Sequence, residues 1–180
     1  MGRPLFLIGY MGCGKSTIGR KIARRFGVSV IDTDSAVEAR EGAPVGDLFR
    51  YEGEAFFRRV EREVLEELIA AGKADVIATG GGLPAWGDNM QRLNEAGMTC
   101  YLRRSAANIA SRLSPYGRQR RPRLRGLDDA ELLDFMTHDM AAREPFYAQA
   151  QLTIDCDALT DDEILERIFS TFTIGWTIGR

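Results

Sequence analysis

Gly9-Tyr10-Met11-Gly12-Cys13-Gly14-Lys15-Ser16 fits the pattern G-x-x-x-x-G-K-[ST]. It stands between an apolar run, Leu5 to Ile8, and a helical stripe, Lys15 to Phe26. Strand, glycine loop and helix in that order are the context in which the pattern has a mechanism. Small residues let successive backbone N–H groups curl around phosphate oxygens, and the following helix points its positive end at the same anion. The loop and helix start, Gly12, Cys13, Gly14, Lys15, Ser16 and Thr17, thus form a nucleotide phosphate cradle. Lys15 is placed to reach the terminal phosphates, and Ser16 to ligate magnesium. Cys13 needs only its backbone here, because no base is implied nearby to make its thiol a nucleophile.

Outward from this loop the periodicity alternates. Val28 to Ile31, Val76 to Thr79, Met98 to Leu102 and Leu152 to Ile154 read as further strands. Glu54 to Ala71, Trp86 to Ala96, Ala106 to Leu113, Asp128 to Ala142 and Asp161 to Phe172 read as helices. Five strands alternating with helices predict an α/β fold, a parallel sheet covered on both faces and joined by right-handed crossovers. Asp128 and Glu131 form a capping-box pattern, and Pro145 is expected to stop or bend the helix that they open. Two segments break the alternation and read as insertions: Asp34 to Gly53 with its following helix, and Ser114 to Gly126. The tail from Phe172 to Arg180 carries Trp176, for which packing against the body is expected.

A chain of 180 residues suits one domain, and 44% hydrophobic with 28% charged residues excludes a disordered or fibrous chain. No apolar run approaches the roughly 20 residues that cross a bilayer, and the start is too glycine-broken for a signal peptide. A cytosolic protein with three reduced thiols, Cys13, Cys100 and Cys156, is expected. Of 24 basic residues only Lys15, Lys21 and Lys73 are lysines, so arginine's planar fork dominates. Eight arginines and no Asp or Glu lie between Arg103 and Arg125. A nucleic-acid surface is disfavoured by the net charge of -2 and by the lack of interleaved aromatics other than Tyr116. Such a loop should repel itself when empty and settle when phosphates neutralise it. Arg118 and Arg125 read as solvated, and the lone His138 as a surface residue.

Asp32-Thr33-Asp34 closes the second strand, and period-two alternation puts both carboxylates on one side at the carboxyl edge. One suits a magnesium shell and the other an acceptor hydroxyl. Arg58 lies about 100° round its helix from Phe57, at the edge of the apolar stripe, with Glu54 and Glu61 one turn away on either side. Braced in this way, it presents its fork to an anion. Gly80-Gly81-Gly82 follows the third strand, where glycine permits close backbone approach to a ligand.

GYMGCGKST at 9–17, IDTD at 31–34, LFRYEGEAFFRRVE at 48–61, ATGGGLP at 78–84, RRPRL at 120–124 and REPFY at 143–147 together resemble the shikimate kinases, from about Leu5 to Ile168. That resemblance implies a P-loop three-layer αβα fold like the nucleoside monophosphate kinases. It implies one domain over 1–180, a substrate-binding insertion near 33–61 and a lid near 114–126. The implied reaction is ATP-dependent phosphorylation of the 3-hydroxyl of shikimate, on the route to chorismate and aromatic amino acids. Magnesium is the implied metal, ATP and shikimate the partners, and the enzyme a monomer. By the same resemblance Asp34 orients or deprotonates the attacking hydroxyl, and Asp32 acts on magnesium through water. Arg58 and Arg143 grip the substrate carboxylate, and backbone N–H groups of Gly80, Gly81 and Gly82 hold a carboxylate or hydroxyl. Arg112 flanks the adenine, and Arg121 reaches the transferred phosphoryl group. The family commonly reads R-P-L-L where this chain has Arg121-Pro122-Arg123-Leu124, so Arg120 and Arg123 compete with Arg121 for that role. A gluconate kinase or a nucleoside monophosphate kinase would share the core and differ in the acceptor region.

Overall fold

The structure is a computed structural model and describes residues 3–119 and 121–172. Arg120 and the tail beyond Phe172, with the expectation placed on Trp176, lie outside the described residues.

Five strands, β1 (Leu5–Ile8), β2 (Val30–Asp32), β3 (Val76–Ala78), β4 (Met98–Arg103) and β5 (Leu152–Asp155), form one parallel sheet in the order β2-β3-β1-β4-β5. The central β1 is buried along its whole length, with Leu7 opposite Ala78 on one side and Cys100 on the other. That burial is why Leu5 to Ile8 reads as a continuous apolar run instead of an alternating one. The helices are α1 (Lys15–Phe26), α2 (Thr33–Glu41), α3 (Val45–Tyr51), α4 (Glu54–Ala71), α5 (Asn89–Ala96), α6 (Ala106–Arg112), α7 (Pro115–Gln119), α8 (Asp129–Tyr147) and α9 (Asp161–Thr171). The main core gathers sheet residues such as Phe6, Ile77 and Leu102 with Ile18, Leu65, Met136 and Ile164 from the helices.

A second, smaller core, Val37, Leu48, Phe57, Val60 and Val64, lies beneath α2, α3 and α4. The insertion after β2 therefore has its own apolar support. Asp34 to Gly53, which the alternation left without a regular element, is mostly helical. Its short helices bury only Thr33 and Val37, and Leu48, so no long stripe announces them.

Three expectations are corrected. The strand ends at Asp32 and Thr33 already begins α2, so Asp32 and Asp34 are not alternate residues of one strand. Asp32 caps the helix, accepting from the Asp34 and Ser35 N–H groups, while Asp34 sits in its first turn. The helix expected from Trp86 starts at Asn89, after a 3₁₀ turn at Leu83–Ala85. Finally, α8 runs through Pro145 to Tyr147. Pro145 and Ala141, whose carbonyl loses its partner, are both exposed, so water can satisfy that carbonyl. The capping box of Asp128 and Glu131 opens α8 as expected.

Candidate active site

The carboxyl ends of β1, β2 and β3 converge on one edge of the sheet. In the loop after β1, Gly12 and Gly14 have φ of 81° and 110°, conformations that favour glycine. Gly14 is the N-cap of α1, whose first turn carries no acidic residue. Lys15 is buried: its Nζ donates to the carbonyls of Gly9 at 2.7 Å and Tyr10 at 2.9 Å. Cys13 also turns inward, and its carbonyl accepts from Nε of the buried Arg104 at 2.9 Å. Arg104 Nη1 donates to the Cys156 carbonyl at 2.6 Å, which fixes the loop to the end of β5.

Ser16 Oγ donates to Asp32 Oδ2 at 2.5 Å, bringing two hard oxygen donors together at the start of α1. Among the described residues no group of three or more His, Cys, Asp or Glu side chains forms a metal cage. Asp34 lies beyond this pair with its carboxyl pushed up to about 6, chiefly by burial and next by the Asp32 charge. Lys15 and Arg58 pull it the other way.

On α4, Arg58 is buried and donates to Glu61 at 2.6 Å and Glu54 at 3.4 Å. Its guanidinium carbon lies 5.5 Å and 5.2 Å from the ring centres of Phe49 and Phe57. A solvated ion pair is thereby excluded: the buried fork is enclosed by two rings and two carboxylates. Glu61 is 1% exposed, its Oε1 has no hydrogen-bond partner, and burial pushes its carboxyl up to about 7 against the pull of Arg58. Only as a brace for Arg58 was Glu61 legible; its place on the apolar stripe, one residue after Val60, was the available signal.

The glycine run fits against these groups. A side chain at Gly80 would collide with the Asp34 and Glu61 carboxylates, and one at Gly82 with the Arg58 guanidinium. The Gly80 N–H is taken by Thr33 Oγ1 at 2.7 Å, so it is not a donor for a ligand as expected. The Gly81 carbonyl accepts from the Tyr147 hydroxyl at the end of α8.

Arg143 on α8 lies 2.9 Å from Asp139 and 5.3 Å from the centre of the Tyr10 ring. The segment from Ser114 to Gly126 folds as α7 and a 3₁₀ turn, Pro122–Leu124. Two of its arginines pair with acids on α8: Arg118 with Asp129 at 2.6 Å, so it is not simply solvated, and the half-exposed Arg123 with Asp139 at 3.3 Å. Arg121 donates to the Gly117 carbonyl and Arg125 to that of Gln119. Carboxylates on α8 thus counter part of the self-repulsion that the charge run suggested. Arg112 ends α6 in an exposed position, and His138 is exposed beside Asp134.

Asp34, Arg58, Glu61, the three glycines, Arg121, Arg123 and Arg143 line a cleft of about 750 Å³. Met11 brings the loop after β1 to its wall, and Phe49 and Phe57 supply its aromatic side. An anion cradle beside a cleft that combines buried acids with arginine forks defines a P-loop phosphotransferase with an acidic, hydroxylated acceptor.

A family model described as shikimate kinase matches residues 11–173, and the chain belongs to that family. It is 43% identical over 157 residues to a shikimate kinase of Bacteroides thetaiotaomicron, covering 87% of this chain and 89% of that one. The crystal structure of a shikimate kinase from the same organism superposes with a TM-score of 0.86 at 37% identity, over 95% of this chain and 98% of that one. A shikimate kinase from Acinetobacter baumannii in complex with shikimate superposes with a TM-score of 0.84 at 30% identity, over 96% and 94%.

Proposed function

We infer that this chain transfers the terminal phosphoryl group of ATP to the 3-hydroxyl of shikimate, giving shikimate 3-phosphate and ADP on the route to chorismate and aromatic amino acids. The observation that carries this reading is that one cleft holds both an elevated acid, Asp34, and the Arg58 fork, with Met11 of the phosphate loop at its wall. A nucleobase acceptor would want an amide-rich pocket, and gluconate would share the carboxylate but not the ring.

Arg58 binds the carboxylate of shikimate with the N–H groups that Glu61 and Glu54 leave over, and Arg143 joins it from α8. The backbone donor to the substrate comes from Gly81 or Gly82, since that of Gly80 is committed to Thr33. Asp34, ionised for the most part at neutral pH, accepts the proton of the attacking hydroxyl as the new phosphorus–oxygen bond forms. Gly12, Cys13, Gly14 and Thr17 hold the phosphates through the loop and the start of α1. Lys15 follows the charge on the transferred group, and Arg121 meets the charge on its equatorial oxygens from the lid. Arg112 flanks the adenine. Ser16 and Asp32 fit magnesium, because the ion needs only one or two protein oxygens of this hard type. When bound, the ion neutralises charge between the phosphates. Residues 33–61 serve as the substrate-binding insertion and 114–126 as the lid of one domain, and the enzyme acts as a monomer. We place the enzyme in the cytosol; among the described residues no helix is long and apolar enough to cross a membrane, and all three cysteines are free.

The test is ADP release from magnesium and ATP with shikimate, gluconate and nucleoside monophosphates offered in parallel. Turnover with shikimate alone is expected; turnover dependent on gluconate or a nucleotide instead would overturn the assignment.

A further inference from the structure

Asp139 lies on α8 one turn before Arg143 and touches three parts of the site at once. It accepts the Tyr10 hydroxyl of the phosphate loop at 2.7 Å on Oδ2. On the same oxygen it meets Arg143 at 2.9 Å, and its Oδ1 lies 3.3 Å from Nη1 of Arg123. The carboxylate is well covered, with a side chain 12% exposed, and Arg143 is similarly enclosed at 11%. Tyr10 is almost wholly buried, and its ring forms the floor under the Arg143 guanidinium. Arg123 is held from a second side, its guanidinium carbon 5.2 Å from the centre of the Phe135 ring on α8.

This arrangement has a physical consequence. An arginine at position 143 has many rotamers, and a fork that must meet a carboxylate gains from having its orientation fixed beforehand. The aspartate at i, the arginine at i+4 and the ring beneath leave that fork one orientation. The same aspartate is the anchor for Arg123, the second arginine of Arg121-Pro122-Arg123. An arginine bound to α8 at position 123 fixes the register of the lid two residues from Arg121. This accounts for Arg123 without giving it contact with the phosphoryl group.

We propose that Asp139 is a positioning residue that aims Arg143 at the acceptor carboxylate and latches the lid through Arg123, tying both to Tyr10 of the phosphate loop. The aiming half rests on the reading of Arg143 as a carboxylate ligand given above; the latch half does not.

Amide hydrogen exchange in α7 and at Arg123 and Leu124 reads the latch in the ligand-free full chain. Asp139→Asn, which keeps the shape and removes the charge, and Arg123→Gln, at a half-exposed side chain, should each speed exchange there roughly two- to fivefold. The double variant should exchange no faster than the faster single one, because both remove the same contact. Wild-type exchange in both singles, or effects that multiply, would overturn the latch. For the aiming half, Asp139→Asn should raise the shikimate KM on the order of tenfold with a much smaller change in kcat. Arg123→Gln should raise that KM less. If Arg143→Ala raises the shikimate KM and Asp139→Asn does not, the aiming role is wrong. If Arg143→Ala leaves it unchanged, the carboxylate reading of Arg143 falls, and the aiming role with it, while the exchange data still decide the latch.

Discussion

Replacing Asp34 by Asn should stabilise the protein at neutral pH while abolishing turnover. Burial and the neighbouring Asp32 lift the Asp34 carboxyl from 3.8 to about 6 in the folded chain. The folded value is raised, so the group's contribution to stability is fully present below about pH 4 and is lost as pH rises through about 6. A shift of that size corresponds to about 3 kcal/mol of strain in the ionised folded state at pH 7. The carboxyl lines the open cleft, where solvent screening reduces the effect, and about 2 kcal/mol is the share we expect to observe. For a chain of this length that is a rise in Tm of roughly 4–8 °C for Asp34→Asn at pH 7. At pH 4 the wild-type carboxyl is largely protonated when folded, and the difference should nearly vanish. Thermal melts at pH 4 and 7, with turnover assays at pH 7 and a kcat/KM profile for the wild type, make the measurement. The wild-type profile should fall about tenfold per unit below pH 6, as the base is protonated. An Asp34→Asn protein that melts at or below the wild-type temperature at pH 7, or gains equally at both pH values, would refute the electrostatic account.

Lys15→Ala should lower turnover by about a hundredfold or more and also lower Tm by a few degrees, because the buried ammonium bonds to the Gly9 and Tyr10 carbonyls; steady-state assays and melts report both. Arg58→Ala should raise the shikimate KM and destabilise by about 3 kcal/mol, since it strands Glu61 in the wall of the cleft. Adding Glu61→Gln should recover most of the stability by denaturant titration but not the KM. Arg121→Ala should depress kcat by about a hundredfold and Arg118→Ala far less, because Arg118 is engaged with Asp129; single-turnover rates separate them. A crippling Arg118→Ala beside a mild Arg121→Ala would displace the assigned register of the lid.

The sheet and the phosphate loop were legible because their signals are local: apolar runs at β1 and β4, a fixed glycine spacing, and a helix beginning at Lys15. Arg58 with its two bracing carboxylates was legible for the same reason, since i, i+3 and i+4 spacing survives folding. Asp32 and Asp34 were found, but their arrangement was not, because the switch from strand to helix at Thr33 is decided by the cap that Asp32 itself provides. The short α2 and α3 are held by a small core assembled with α4, a non-local contact that no stripe within either helix records. The occupied Gly80 N–H and the enclosure of Glu61 depend on β3, α2 and α4 meeting. Tyr10 and Asp139 are 129 residues apart in sequence, and no periodicity joins them.

The run Gly80-Gly81-Gly82 bears on how this protein can evolve. The volume that a side chain would fill at Gly80 is held by two acids, and at Gly82 by a guanidinium; at Gly81 it would lie 3.0 Å from the Met11 backbone nitrogen. Each position is closed by different neighbours, and three of those neighbours are side chains that line the cleft. A side chain at Gly82 displaces the Arg58 guanidinium and one at Gly80 displaces the Asp34 and Glu61 carboxylates together, so either substitution is felt through the cleft geometry even where those side-chain ends can swing aside. Drift toward another acceptor would begin elsewhere, at the aromatic wall of Phe49 and Phe57 or in the lid, where neighbours can yield one at a time.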